Sequence, residues 1–167
     1  MNKFWRIMQI PMALVLVGAI LLGIHFSKKS NTPFDTMKAA VESGADLTLM
    51  QEADNQMFKR IYGLDANDYE NVLLYYPVTN MGVEEVLLVK VSSQEQLDAV
   101  KQAVEARLAA QLKSFDGYGV EQCEMLNNAI VHYDDSYVVF SVGKQAEAVE
   151  NAYLAAYKGQ WSGEVNS

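Results

Sequence analysis

Cys123 and His132 are the two residues whose types could do nucleophilic chemistry together. A thiolate needs a base within hydrogen-bond reach, and His132 is the one histidine after residue 30. Cys123 falls on a short helix and His132 on the strand that follows, so contact between them is allowed. No oxyanion motif and no third member accompanies them. Taken singly, Cys123 reads as a half-buried small residue. His132 lies in the alternating run Ile130-Val131-His132-Tyr133 and reads as a surface or edge residue, with no His or Cys at ligand spacing for a metal.

The carboxylates offer two further chemistries. Asp65, Asp68 and Glu70 form a D-x-x-D-x-E run whose oxygens would suit calcium. The EF-hand order and its central glycine are missing, and turn and cap chemistry explains Asp65 and Asp68 more simply. Glu84-Glu85 and Asp134-Asp135 are adjacent pairs. On a strand, neighbours point to opposite faces, so neither pair converges on one substrate by itself. An envelope hydrolase or transferase using Glu85, Asp134 or His132 is therefore the alternative function, and a nucleophile-plus-base motif that would promote it is absent. No cofactor motif is found either.

Tyrosine is the most suggestive residue type, with nine in the chain. Tyr69, Tyr75, Tyr76, Tyr118, Tyr133 and Tyr137 gather around the expected strands and turns. A phenol ring combines apolar area with a hydroxyl, which suits contact with protein or glycan. It also suits strands in general, so packing is the competing explanation. These six are the candidate partner-binding surface.

The elements that must position these residues follow from periodicity. Phe34 to Ala45 reads as a helix ending near Gly44, and Leu47 to Tyr62 is helical in its second half, with Gly63 just past its end. Tyr69–Tyr76 and Val83–Val91 read as strands either side of a Thr79-Asn80-Met81-Gly82 turn. Ser93–Phe115 is the clearest helix. Ser93 and Gln96 fit a capping box, and Leu97, Val100, Val104, Leu108, Leu112 and Phe115 form one stripe. Lys101 and Glu105 lie on its wet side. A helical turn over Val120–Leu126 leads to a hairpin, Ala129–Tyr133 and Tyr137–Val142, around Asp134-Asp135-Ser136. Lys144–Tyr157 closes the fold as a helix, and residues 159–167 read as a flexible tail. The order predicts an α+β domain: a four-stranded, mainly antiparallel sheet in ββα-ββα order, with helices on one face.

Charge and hydropathy divide the chain. All 21 acidic residues lie beyond residue 30, where nine basic ones give a net charge of −12. Such a surface repels phosphate backbones and anionic headgroups, which excludes nucleic acid as a partner. One cysteine excludes an intramolecular disulfide. Ile7 to Phe26 holds no Asp, Glu, Lys or Arg. Twenty residues at about 1.5 Å each span about 30 Å, the thickness of a bilayer's hydrocarbon. Lys3 and Arg6 precede the run, and Lys28 and Lys29 follow it. It has no polar face and no A-x-A-like site, so it reads as an uncleaved anchor with the C-terminal domain outside the cell; secretion after cleavage is the alternative. The expected organisation is residues 1–29 as anchor, 30–46 as linker and first helix, 47–158 as an extracytoplasmic domain, and 159–167 as tail.

Two blocks carry a resemblance. One is Tyr62-Gly63-Leu64, Asp68-Tyr69-Glu70 and Glu85-Val86-Leu87-Leu88-Val89-Lys90-Val91. The other is the long helix through Arg107 and Gln111 to Phe115, then Tyr118, Glu121-Gln122 and Tyr137-Val138-Val139-Phe140. Together, over about residues 47–155, they resemble a domain-of-unknown-function family of small envelope proteins of Gram-positive bacteria, membrane-anchored or lipoproteins. The resemblance implies an anchor or lipoprotein signal followed by an extracytoplasmic α+β domain, and it implies no activity. The Asp134-Asp135-Ser136 turn departs from the pattern, where a glycine is expected. The expected function is a non-catalytic interaction module of the cell envelope, contacting another envelope protein or a wall polymer.

Overall fold

Central strands that are apolar on both parities can be buried on both sides. The run Val86-Leu87-Leu88-Val89 and the run Tyr137-Val138-Val139-Phe140 are of that kind, and every residue in both is buried. This decides the architecture. The computed structural model describes residues 31–163. It contains a five-stranded, wholly antiparallel sheet with helices against both faces.

The order along the chain is α1 (Phe34–Gly44), β1 (Met50–Glu52), α2 (Asn55–Tyr62), β2 (Asn71–Pro77), β3 (Glu85–Lys90), α3 (Gln94–Phe115), α4 (Val120–Asn127), β4 (Ile130–Tyr133), β5 (Tyr137–Val142) and α5 (Ala146–Tyr157). The strands lie side by side as β1-β2-β3-β5-β4.

Two expectations are corrected. The sheet has five strands, not four. The added edge strand β1 is three residues long and mostly exposed, so it carries no hydropathy signal. Backbone pairing with β2 defines it, Met50 opposite Pro77 and Glu52 opposite Tyr75. Helices cover both faces, not one. Leu74, Leu87, Val89, Val138 and Phe140 pack beneath α2, α3 and α4. Leu73, Val86, Leu88, Tyr137 and Val139 pack beneath α1 and α5. Period-2 alternation predicts one wet face; the continuous apolar runs are the signal for two buried ones.

Local chemistry sets the ends. Ser93 Oγ accepts from the Gln96 N–H at 3.3 Å and caps α3. Gln96 Oε1 accepts from the Ser92 N–H at 2.8 Å, one residue earlier than a capping box would have it. Gly63, at φ 70°, ends α2 in the left-handed region as expected. The Asp134–Ser136 turn needs no glycine: no described non-glycine residue has positive φ, and the Asp134 N–H closes the turn on the Tyr137 carbonyl at 2.9 Å. Trp161, in the segment read as a tail, packs against the α1–α5 side.

The sheet has two ends, and they matter below. Thr32, one residue into the described chain, is fastened at one of them. The Tyr137 hydroxyl donates to the Thr32 carbonyl at 2.7 Å, and Thr32 Oγ1 donates to the Ala156 carbonyl at 3.0 Å. Tyr137 opposes Lys90, whereas Val142 opposes Glu85 beside the β2–β3 turn. Six residues of β5 separate these ends, about 17 Å at about 3.4 Å per residue. The segment expected to cross a membrane, residues 7–26, lies outside the described residues. Among the described residues no helix is long and apolar enough to cross a membrane.

Candidate functional site

Glu85 is the most deeply buried charged side chain described, at 0 % exposure. It lies on the α3 side of β3. The Tyr62 hydroxyl donates to its Oε1, Arg107 Nη2 donates to its Oε2 at 2.7 Å, and Arg107 Nε to the same oxygen at 3.1 Å. Burial, with the Glu85 carboxylate next in importance, pushes the Tyr62 phenol well above its ordinary pKa. Gln111, one turn beyond Arg107, is also buried, and its Oε1 has no hydrogen-bond partner among the described residues. The cluster joins α2, β3 and α3 and is sealed by the first core. It is built as an internal strut rather than an open centre.

His132 and Asp134 stand on the other face. His132 Nδ1 lies 3.3 Å from Glu150 Oε1, on the edge strand β4, and its ring is 5.8 Å from that of Tyr153. The Tyr153 hydroxyl donates to Asp134 Oδ2 at 2.5 Å. Burial, reinforced by that bond, raises the Tyr153 pKa far above the phenol range. Glu85 is thus separated from His132 and Asp134 by the thickness of the sheet, and the three do not meet in one cleft. Cys123 is half-buried against the first core, on the opposite side of the sheet from the His132 side chain.

The six tyrosines are dispersed. Tyr69 and Tyr133 pack against the first core, with Tyr69 edge-on to Phe58 and Lys101 lying 5.6 Å from the Tyr133 ring centroid. Tyr75 and Tyr137 belong to the second core. The Tyr75 hydroxyl donates to Glu42 Oε1 at 2.6 Å. Tyr76 is half-buried on β2, and Tyr118 alone among the six is exposed. Asp65 caps a 3₁₀ turn over Ala66–Asp68 and takes bonds from Lys59, Asn55 and Asn67. These bonds, that of Lys59 foremost, hold its carboxyl below the usual range. Among the described residues no three of His, Cys, Asp and Glu come together to hold a metal.

The exposed apolar side chains, by contrast, are gathered. Leu49, Val78, Met81, Tyr118 and Val120 are exposed by 53, 50, 54, 64 and 81 %. All lie at the end of the sheet away from Thr32. The Val78 N–H donates to the Leu49 carbonyl at 3.1 Å, which joins the β2–β3 turn to the turn before β1. Gln122 Nε2 donates to the Met81 carbonyl at 3.3 Å, which joins the same turn to the α3–α4 corner bearing Tyr118 and Val120. A cavity of about 170 Å³ opens beside Leu49, between Asp46, Glu84 and Lys144. Two further grooves continue round the end past Glu121, Glu124 and Glu147 to Tyr118 and Val120.

A family model described as a domain of unknown function (DUF4358) matches residues 43–143. The chain belongs to that family. No curated protein and no solved structure matches it. The DUF4358 match runs from the last residues of α1 to just past β5. It includes the whole strut of Tyr62, Glu85 and Arg107 and most of the apolar end, and it leaves out α5.

Periodicity missed two features of this DUF4358 domain. The buried stripe of α3 passes through Val100, Val104, Gln111 and Phe115, with Arg107 between, while Leu108 and Leu112 are only half-buried. The signal was a polar pair at the right spacing within an apolar stripe. The exposed cluster had its own signal: Val78, Met81 and Val120 occupy turn or helix-start positions where apolar side chains have no core to enter.

Proposed function

We propose that the chain is a membrane-anchored module of a bacterial envelope whose extracytoplasmic domain binds a partner without transforming it. The observation that carries this reading is the gathering of five exposed large apolar side chains at the end of the sheet opposite Thr32. Isolated exposed apolar residues are ordinary, but several brought to one end of a sheet, with grooves opening at Leu49 and at Tyr118 and Val120, are what interaction sites look like. The uncharged run of residues 7–26 supplies the tether. Because the described chain starts about 17 Å from the apolar end, along the strands, a tether leaving from residue 31 would present that end away from the bilayer.

The test is photo-crosslinking in intact cells, combined with surface proteolysis. A photo-reactive residue at position 120 should capture one defined envelope component, and external protease should remove the domain while the membrane is intact. A domain that stays protected until lysis would refute the location. Absence of any captured component from probes spread over the whole surface would refute the binding role.

A further inference from the structure

We propose that the apolar end docks a cationic amphipathic segment of a partner protein, with apolar side chains seated on Leu49, Val78, Met81 and Val120 and Lys or Arg side chains against the surrounding carboxylates. This rests on the reading of the chain as a binding module and names the chemistry of what it binds.

Three observations converge. The first is apolar area held in fixed positions: both turns that carry Leu49 and Met81 are tied to their neighbours through main-chain carbonyls, so little ordering remains to be done on binding. The second is shape. The cavity beside Leu49, about 170 Å³, is close to the roughly 150 Å³ that accepts a benzene ring, so it admits one aromatic or branched side chain. The third is charge. The walls of the three grooves hold five carboxylates, Asp46, Glu84, Glu121, Glu124 and Glu147. Against them stands one ammonium, Lys144, already paired with Glu121 at 3.0 Å.

The sign of this rim chooses the occupant. A second copy of the chain would set one acidic rim against another, which is repulsive. Anionic lipid and nucleic acid are disfavoured for the same reason. A wall glycan offers hydroxyls but no apolar side chains for Leu49, Met81 and Val120. A polypeptide with an apolar stripe flanked by Lys and Arg satisfies both the apolar centre and the acidic rim.

The experiment uses the full chain in lipid nanodiscs and two synthetic peptides of equal length, an amphipathic Lys/Leu helix and its Glu/Leu counterpart. The Lys/Leu peptide should bind at least about tenfold tighter, with affinity falling as salt is raised. Glu124→Lys with Glu147→Lys should weaken it about tenfold, and Met81→Ser with Val120→Ser by a similar factor. Asp98→Lys with Asp135→Lys makes the same change in net charge at the other end and should leave binding within about threefold. All six positions except Met81 and Val120 are charged, and all are exposed, so the variants keep the fold, which circular dichroism checks. Equal weakening by the two charge-reversing pairs, no preference between the peptides, or self-association through position 120 would each overturn the proposal. Crosslinking in cells separates the two levels. Capture only from probes away from the apolar end sinks this inference and leaves the binding role standing; capture from no position sinks both.

Discussion

Replacing Arg107 by Met would leave the Glu85 carboxylate, at 0 % exposure, with the Tyr62 hydroxyl as its remaining side-chain donor among the described residues. Three guanidinium bonds, at 2.7, 3.1 and 3.4 Å, are lost at once. Removing one member of a buried ion pair costs about 3–5 kcal/mol, because the remaining charge keeps its desolvation penalty without its partner. That is a large share of a domain's roughly 5–15 kcal/mol. For a domain of this size it corresponds to a fall in Tm on the order of 10–20 °C. The companion variant changes the whole strut: Arg107→Met with Glu85→Leu and Tyr62→Phe removes every polar member together. Volume-matched apolar replacement of a buried pair is close to neutral or stabilising, so the triple variant should recover most of the loss. Urea unfolding of the full chain in mild detergent, followed by far-ultraviolet circular dichroism, measures both. An Arg107→Met cost below about 1 kcal/mol, or a triple variant no more stable than the single one, would refute the strut.

Two further outcomes follow from other parts of the fold. Tyr62, Tyr137 and Tyr153 all have raised pKa values through burial, Tyr137 to about 12. An unfolded tyrosine ionises near 10, so the unfolded chain releases these protons first; the stability they contribute is fully present below about pH 10 and falls as pH rises toward 12. Tyrosinate absorbance should therefore rise in two stages, the second coinciding with loss of the circular-dichroism signal, and ionisation of all nine tyrosines with the fold intact would contradict it. Gly44→Ala should destabilise by about 1–3 kcal/mol, despite alanine's better helix propensity. Its Cβ would fall 2.6 Å from the Ala148 carbonyl oxygen and 2.8 Å from Val149 Cα, both main chain, so α1 and α5 would have to part; an unchanged or raised urea midpoint would show that they can.

Much of the local structure could be read directly. The α3 helix, its Ser93 cap, the left-handed Gly63 and the hairpin closed at Asp134 depend on residues within four positions of one another, and each stands as the spacing implies, although the buried stripe of α3 runs through Gln111 rather than Leu108 and Leu112. The expectation of an anchor at residues 7–26, which lie outside the described residues, rests on a run of side chains that can be read without knowing any partner. What spacing could not supply is which faces meet. β1 exists because Gln51 finds Tyr76 across the sheet, 25 positions away. α1 covers the second face because Gly44 and Ala40 allow α5 to approach.

The same division holds for the candidate site. Glu85 was visible as a carboxylate, but its partners Tyr62 and Arg107 are 23 and 22 residues distant, and only the packing of α2 and α3 on β3 turns it from a candidate catalyst into a strut. Sequence alone determined the acidic surface, the apolar segment and the family resemblance, since these are sums or runs along one dimension. The apolar end was decided only by tertiary structure. Leu49, Val78, Met81, Tyr118 and Val120 come from three separate turns, and antiparallel pairing with the α3–α4 corner brings those turns to one end of the sheet.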